Sequence, residues 1–161
     1  MDRLWTPWRF EYIRTADHEP SCVFCNILNE ERDAGNFVLY RGRCAFVLLN
    51  LFPYTSGHIL VVANRHISLL NDASPEEMQE IILLARRCEH ALQQEYKPQG
   101  FNLGFNLGRA AGAGVEHHLH MHVLPRWIGD SNFVSVVGET RVLPEELTTT
   151  HKRLLPYFKS F

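Results

Sequence analysis

Three histidines at alternate positions, His118, His120 and His122, stand out in the 161-residue sequence. Side chains alternate between the two faces of a β-strand, so this spacing predicts three imidazoles on one face of a strand over residues 119–124. The residues between them are apolar and are expected to pack on a helix behind the strand. Core packing does not explain such a row, because each ring has two nitrogens that need hydrogen-bond partners. The pattern therefore predicts a functional site.

Two kinds of chemistry use a row of imidazoles. Such histidines are good ligands for Zn²⁺, and an imidazole can also act as a nucleophile while its neighbours orient it and handle protons. Gly112 and Gly114 lie just before the row, where bare backbone N–H groups can meet an anion, and Asn106 adds an amide. A hydrolytic metal site would usually include a carboxylate base, and only Glu116 is near in sequence. The surroundings favour a phosphate-bearing substrate over a catalytic metal.

A second group of candidate ligands begins with the Cys-x-x-Cys pair, Cys22 and Cys25. Cytosolic thiols normally stay reduced, so metal binding is a better interpretation of this pair than a disulfide. His66 and one of the adjacent His117 and His118 can complete a set of two thiolates and two imidazoles. Such a set makes a closed tetrahedral Zn²⁺ site, which is typical of a structural metal. The alternative is a reduced, metal-free cysteine pair beside an exposed histidine.

Composition indicates a globular protein with one domain over residues 1–161, since 45% of the residues are hydrophobic and 21% are charged. The net charge of −2 argues against a protein held to nucleic acid by bulk charge. No apolar stretch approaches the roughly 20 residues that span a bilayer, so no membrane partner is expected. The first residues lack an apolar signal-peptide core, and we expect a cytoplasmic location.

Hydrophobic periodicity indicates the elements that position these residues. Ser74 and Pro75 predict the start of a long helix over about residues 75–96. Residues 1–21 indicate an extended arm, and a C-terminal helical segment is predicted over 144–161, with its helix at about 144–158. Strands are predicted at residues 37–41, 44–49, 58–62, 101–107 and 119–124, with a short one near 133–137. These elements predict an α+β domain with a largely antiparallel sheet.

Five further residues of reactive type are predicted to have no chemical role. Cys44 and Cys88 lie in apolar stretches and are expected to be small buried hydrophobic residues. His18, His90 and His151 lie on predicted polar faces or loops and are expected to be solvent-exposed.

The segment 118–124 resembles the His-φ-His-φ-His-φ-φ signature of the histidine-triad (HIT) family of nucleotide hydrolases and transferases. Residues 50–62 are similar to the nucleoside-binding segment of that family, and residues 105–108 to its phosphate-side loop. Residues 4–9 and 125–133 resemble the branch that includes bacterial diadenosine tetraphosphate phosphorylases. The resemblance implies a HIT-like fold with a five-stranded, largely antiparallel sheet, one long helix and a C-terminal helix. It also implies a homodimer and a reaction at the α-phosphate of a small-molecule nucleotide.

The resemblance also implies roles for single residues. His120 would be the nucleophile and would form a covalent nucleotidyl–imidazole intermediate, while His122 and His58 orient it and assist proton movement. Asn50 would lie near the ribose hydroxyls. The phosphate oxygens would be held by Asn106 and the backbone around Gly112 and Gly114.

The first histidine of the motif has a double assignment. It belongs to the catalytic triad, yet in zinc-bearing HIT proteins and the related hexose-phosphate uridylyltransferases it is a metal ligand. The resemblance therefore implies that His118 joins Cys22, Cys25 and His66 around a structural Zn²⁺, with His117 as the alternative fourth ligand.

One departure from the family leaves the acceptor of the reaction open. Related enzymes often carry Ser or Thr shortly before the triad, where this sequence has Gly114 and Val115. Phosphorolysis, hydrolysis and cleavage of an adenylylated amine all remain possible reactions. Trp127 is predicted either to stack on a base or to close a subunit contact. Two other functions stay open: a zinc-dependent hydrolase with the triad as ligands, and a catalytically weak nucleotide-binding interaction protein.

Overall fold

A five-stranded antiparallel sheet forms the centre of the protein, in the strand order β1-β2-β3-β5-β4. The computed structural model describes residues 22–130 and 145–159, so the predicted arm at 1–21 and the short strand near 133–137 lie outside the described residues. The strands are β1 (Val38–Arg41), β2 (Ala45–Leu49), β3 (Ile59–Ala63), β4 (Gly100–Phe105) and β5 (His120–Arg126). The helices are α1 (Val23–Asn29), α2 (Pro75–Tyr96), α3 (Leu147–Leu154) and α4 (Pro156–Lys159). The predicted α+β architecture is confirmed.

The long helix α2 begins and ends where the sequence indicates. The side chain of Ser74 accepts a hydrogen bond from the backbone of Glu77, and the Glu77 carboxylate accepts one from the Ser74 N–H, which completes a capping box. Lys97 ends the helix in the left-handed conformation. Within the described residues, no helix is both long enough and apolar enough to cross a bilayer.

One face of the sheet packs against α2. Alternation along β5 turns Leu119, Met121 and Val123 toward this helix, as the sequence predicts. The helix contributes a buried stripe that includes Ile81, Leu84, Ala85, Cys88 and Leu92. Cys88 is fully buried as expected, whereas Cys44, expected in the core, is only half-buried just before β2.

The opposite face of the sheet packs against α1. Phe24 and Ile27 of this short helix are buried against strand residues of the other parity: Val38, Phe46, Leu48, Leu60 and Val62. His120 and His122 share that parity with Leu60 and Val62, their partners in the β3–β5 ladder. The histidines therefore lie on the α1 face of the sheet.

The C-terminal segment is two helices instead of the single predicted one. The helix α3 ends at Leu154, and α4 starts at Pro156, whose ring nitrogen has no hydrogen to continue the helical pattern. His151, predicted to be exposed, is buried, and its Nε2 lies 2.9 Å from the carbonyl oxygen of Val38. The surface prediction for His151 is therefore wrong, because the ring provides a partner for a strand carbonyl.

Candidate active site and metal centre

Asn50, His58 and His122 meet at one end of the three central strands. Asn50 follows β2 and His58 precedes β3, and the Asn50 N–H donates to the His58 carbonyl at 3.0 Å, which extends the β2–β3 pairing by one residue. His122 stands opposite Leu60 on β5, the other neighbour of β3. Alternation places all three side chains on the α1 face, and both imidazoles are buried.

Fixed donors determine the direction of the hydrogen bonds between the two imidazoles. The backbone N–H of Tyr54 points at Nδ1 of His58 at 3.2 Å, so Nδ1 accepts and the proton of the neutral ring is on Nε2. This Nε2–H donates to Nδ1 of His122 at 2.9 Å. His122 consequently carries its own proton on Nε2, the nitrogen on the far side of the ring from His58.

Asn50 supports the same arrangement. Its Oδ1 accepts from the Phe52 N–H at 3.0 Å, which turns the amide nitrogen toward His58, with Nδ2 and Nδ1 3.2 Å apart. The structure therefore places the Asn50 side chain against an imidazole, a contact that the sequence did not predict. The ribose contact of Asn50 stays a prediction.

Asn106 lies at the other end of the imidazole pair. The strand β4 ends at Phe105, two residues earlier than predicted, so Asn106 lies just after the strand. Its Nδ2 is 3.5 Å from Nε2 of His122. In the tautomer assigned to His122, both nitrogens carry hydrogen, and an anionic oxygen within reach of the two would accept from both.

His120 has the opposite tautomer from its neighbours. Its Nδ1 is 2.7 Å from the His118 carbonyl oxygen, so the proton is on Nδ1 and the lone pair is on Nε2. The ring is 5% exposed, and burial lowers the pKa of His120, which keeps the imidazole neutral. Its centre is 5.0 Å from that of the His122 ring. A neutral imidazole with a lone pair on Nε2, next to a second imidazole that can donate a hydrogen bond, has the arrangement that a nucleophile requires.

The glycine-rich stretch before β5 forms a compact turn. Gly112 ends a short 3₁₀ helix, Arg109–Ala111, in a left-handed conformation with φ of 85° that favours glycine. Its N–H donates to the Arg109 carbonyl at 2.9 Å within the turn. Gly114 is half-buried, and Trp127 directly follows β5, where its N–H donates to Asp130. The substrate contacts of these residues stay predictions.

The second predicted group comes together as a cluster of four ligands. Ligand atoms of Cys22, Cys25, His66 and His118 all lie within 4.8 Å of one another. The Nδ1 atom of His118 is 3.2 Å from the Cys22 sulphur and 3.6 Å from the Cys25 sulphur, and Nδ1 of His66 is 3.3 Å from the Cys25 sulphur. His117 lies outside this cluster, exposed and 3.1 Å from Glu116. His118, not His117, is the histidine that the fold brings to the cysteines.

The donor set fits Zn²⁺. Bond lengths of about 2.3 Å to sulphur and 2.0–2.1 Å to nitrogen imply sulphur–nitrogen separations of about 3.6 Å in a tetrahedral site. Nε2–H of His118 donates a hydrogen bond to the Ala63 carbonyl at 2.7 Å, which leaves Nδ1 unprotonated toward the sulphurs. Burial and the neighbouring Cys22 raise the pKa of Cys25, and a bound cation would offset both effects by stabilising the thiolates.

The elements that position the cysteines were not predicted from the sequence. Cys22 and Cys25 lie at the start of α1, and Arg41 on β1 binds the other end of that helix. Its guanidinium donates to the carbonyls of Ile27 and Leu28 at 2.9 and 2.8 Å, and it also pairs with Asp33. The helical spacing of Phe24, Ile27 and Leu28 is the signal that could have identified α1.

Comparison with known proteins agrees with this geometry. Residues 31–127 match the HIT domain. The chain is 36% identical over 162 residues to a Mycobacterium tuberculosis protein named AP-4-A phosphorylase, covering 96% of this chain and 83% of that protein. It resembles a Zn-bound histidine triad family protein from Mycobacterium smegmatis with a TM-score of 0.69 and 30% identity, covering 85% and 92% of the two chains. A hypothetical histidine triad nucleotide-binding protein from Sulfolobus tokodaii gives a TM-score of 0.68 and 26% identity, covering 84% and 91%. The chain belongs to the HIT family.

Proposed function

We propose that this protein is an enzyme that cleaves dinucleoside polyphosphates at an α-phosphate, with diadenosine tetraphosphate as the first substrate to test. The observation that carries the proposal is the 2.7 Å contact between Nδ1 of His120 and the His118 carbonyl, which leaves a lone pair on Nε2. The similarity to the relative named AP-4-A phosphorylase supports the choice of substrate.

In the first step, Nε2 of His120 attacks the α-phosphorus. The nitrogen–phosphorus bond forms as the bond from phosphorus to the bridging oxygen breaks, and the leaving nucleotide keeps that electron pair. A polyphosphate leaves as a stable anion, so a hydrogen bond from Nε2–H of His122 to the leaving oxygen is sufficient assistance. Asn106 donates to a phosphate oxygen as charge develops there. The adduct is an N-phosphorylated imidazolium whose Nδ1–H keeps its bond to His118.

In the second step, an acceptor attacks the phosphorus and the nitrogen–phosphorus bond breaks, which regenerates the neutral His120. Inorganic phosphate as the acceptor gives ADP together with ATP from diadenosine tetraphosphate. Water as the acceptor gives AMP together with ATP and must also lose a proton. The products therefore identify the acceptor.

A Zn²⁺ held by Cys22, Cys25, His66 and His118 has a structural role in this proposal. The four protein ligands fill a tetrahedral shell, so the ion would fix α1 to the segment before β5. The family resemblance also leads us to expect a homodimer and a cytoplasmic location.

The zinc-hydrolase alternative would need His118, His120 and His122 to face one ion. Nδ1 of His118 faces the cysteine sulphurs, Nδ1 of His120 faces a carbonyl and Nδ1 of His122 faces His58. These partners favour the nucleophilic mechanism. The binding-protein alternative predicts no turnover on a panel of dinucleotides and nucleoside phosphoramidates.

Intact mass spectrometry after rapid quenching tests the proposed function. With excess diadenosine tetraphosphate, we expect an adduct of one adenosine monophosphate on His120, and product analysis with and without inorganic phosphate identifies the acceptor. Turnover that stops immediately on brief EDTA exposure, without any adduct, would favour the zinc hydrolase instead.

A further inference from the structure

One aromatic side chain of α1 contacts both functional groups. Phe24 lies two residues after Cys22 and one before Cys25, and it is 5% exposed. Its ring centre is 5.4 Å from that of His118 at an interplanar angle of 75°, and 5.1 Å from that of His120 at 53°. A metal ligand and the proposed nucleophile therefore pack on the same phenyl ring.

The described contacts that orient the His120 ring come from the His118 carbonyl, the phenyl ring of Phe24 and the His122 ring. The bond from Nδ1 to the His118 carbonyl fixes one edge, but rotation about that direction changes where Nε2 points. The phenyl ring of Phe24 and the His122 ring, 5.0 Å away between centres, lie against the imidazole and limit this rotation. Edge and tilted contacts between rings of this kind are directional as well as apolar.

Phe24 is itself held in place from two directions. Its helix packs on the sheet through a core that includes Ile27 and Val62, and the first turn of the helix carries the two cysteines. Closing a tetrahedral site around Cys22 and Cys25 would fix the first turn relative to His118. Because Phe24 lies between the two cysteines in the chain, closing the site would also constrain the phenyl ring.

We propose that Phe24 is a positioning residue that couples the metal cluster to the orientation of the His120 ring. The proposal rests on the proposed function for its catalytic consequence, because His120 is assigned there as the nucleophile. Phe24 does not touch the reacting atoms in this scheme. It holds the imidazole so that Nε2 meets phosphorus in line with the leaving oxygen, an alignment that is sensitive to shifts of about 1 Å.

Substitution in the zinc-loaded full chain tests the positioning role. In Phe24→Leu, we expect kcat on diadenosine tetraphosphate to fall about 10-fold, while KM and zinc content stay within about twofold. Phe158→Leu is the matched control, because it makes the same change at a buried phenyl ring that packs in the core on the opposite face of the sheet. Its kcat should stay within about twofold of the parent value. If Phe24→Leu does not fold, Phe24→Met keeps a long apolar side chain and takes its place.

A double-mutant cycle tests the coupling to the metal cluster. His66→Ala removes an exposed ligand and should lower kcat about 5-fold in the parent chain and in Phe158→Leu, but less than twofold in Phe24→Leu. Equal effects in all three backgrounds would overturn the proposal, and so would an unchanged kcat in Phe24→Leu.

An NMR readout separates this proposal from the proposed function. Long-range ¹H–¹⁵N correlation reports the ring signals of His120 with zinc present, whether or not the protein turns over a substrate. We expect His66→Ala to shift these signals, and the shift to shrink by at least half in Phe24→Leu. If the parent chain shows no turnover, the proposed function fails, and the NMR shifts alone decide for or against Phe24. A shift of full size in Phe24→Leu would contradict the coupling.

Discussion

His118 and His120 are two residues apart in one chain segment, yet they belong to two different sites. Each ring donates a hydrogen bond to a backbone carbonyl at 2.7 Å, but His118 donates from Nε2 to Ala63, whereas His120 donates from Nδ1 to His118. The free nitrogen of His118 is therefore Nδ1, which faces two sulphurs, and that of His120 is Nε2. The backbone selects the tautomer, and the tautomer decides whether the imidazole is suited to a metal or to phosphorus.

The two sites also differ in how their groups are linked. The hydrogen bonds from the Tyr54 N–H to His58 and from His58 to His122 form a series that we call the imidazole chain. Each of its bonds has a defined direction, and the last group of the chain is the Nε2–H of His122 beside Asn106. In the ligand cluster, the cysteine sulphurs and the ring nitrogens lie within 4.8 Å of one another, an arrangement that a bound cation would satisfy. One site is suited to receive an anionic substrate, and the other to hold a cation.

We expect His120→Asn to give the largest difference between the two sites, because it should abolish catalysis and leave zinc binding intact. An asparagine amide can still donate to the His118 carbonyl, but it offers no nucleophilic nitrogen, so we expect kcat to fall by about 10⁴-fold or more. Zinc content and the melting temperature should match the parent protein, as measured by atomic emission and calorimetry. Retention of more than about 1% of kcat would show that His120 is not the nucleophile.

The reverse perturbation is Cys25→Ser, with Cys44→Ser as its control. Loss of one thiolate should remove most of the bound zinc and about 3 kcal/mol of stabilisation. Since 1 kcal/mol shifts the melting temperature of a protein of this size by about 2–4 °C, the melting temperature should fall by roughly 10 °C. Cys44 lies outside the cluster, so its variant should keep both values. A Cys25→Ser protein with full zinc content would contradict the assigned ligand set.

The fold was predictable where its signals are local. The helix α2 carries a capping box and a long apolar stripe, and both appear as expected. The helix α1 was missed because it has seven residues and its N-cap, Cys22, makes no capping hydrogen bond through its side chain. The role of His151 depends on Val38, 113 positions away in the chain, and a pairing over that distance has no local signature.

The candidate site was predictable in residue type but not in detail. Period-two spacing identified the triad, and Cys-x-x-Cys spacing identified the cluster. The packing of Phe24 on two imidazoles and the contact of Asn50 with His58 depend on how α1 and the 51–57 loop fold back on the sheet. Spacing along the chain carries no information about such contacts.

Glu77 stabilises the segment that carries the metal ligand His66, and this stabilisation is expected to depend on pH. Its carboxylate pairs with the guanidinium of Arg65, the residue next to His66, at 2.7 Å. The hydrogen bond and charge of Arg65, together with the hydrogen bond from the Ser74 N–H, lower the pKa of Glu77 to about 2. Because its pKa is lowered, the ionised Glu77 stabilises the fold at pH values above the ordinary pKa of 4.5. This stabilisation is lost as the pH falls toward 2. The free energy of unfolding of the parent should therefore exceed that of Glu77→Gln by roughly 2 to 3 kcal/mol at pH 7. Urea unfolding at several pH values should show this gap closing below pH 4; a constant gap would contradict the assignment.

The smallest expected effect separates two roles for Asn50, a ribose contact and a donor to His58. Asn50→Asp keeps an acceptor for ribose hydroxyls but replaces the amide donor with an oxygen 3.2 Å from a nitrogen that already accepts from Tyr54. The carboxylate favours the neutral tautomer of His58 that carries its proton on Nδ1, and in that tautomer Nε2 has no hydrogen to donate to His122. We therefore expect kcat to fall about 10-fold, equivalent to about 1.4 kcal/mol, with KM nearly unchanged.

Asn50→Ser is the matched variant for this comparison, because it loses the amide donor without adding a charge. If Asn50 acts through His58, both variants lower kcat, and steady-state kinetics on diadenosine tetraphosphate should show the larger fall for the aspartate, since only the carboxylate actively reverses the tautomer. If Asn50 acts only on ribose, the aspartate variant should resemble the parent and the serine variant should raise KM alone. That second pattern would remove Asn50 from the imidazole chain and leave the Tyr54 N–H as the group that fixes the His58 tautomer.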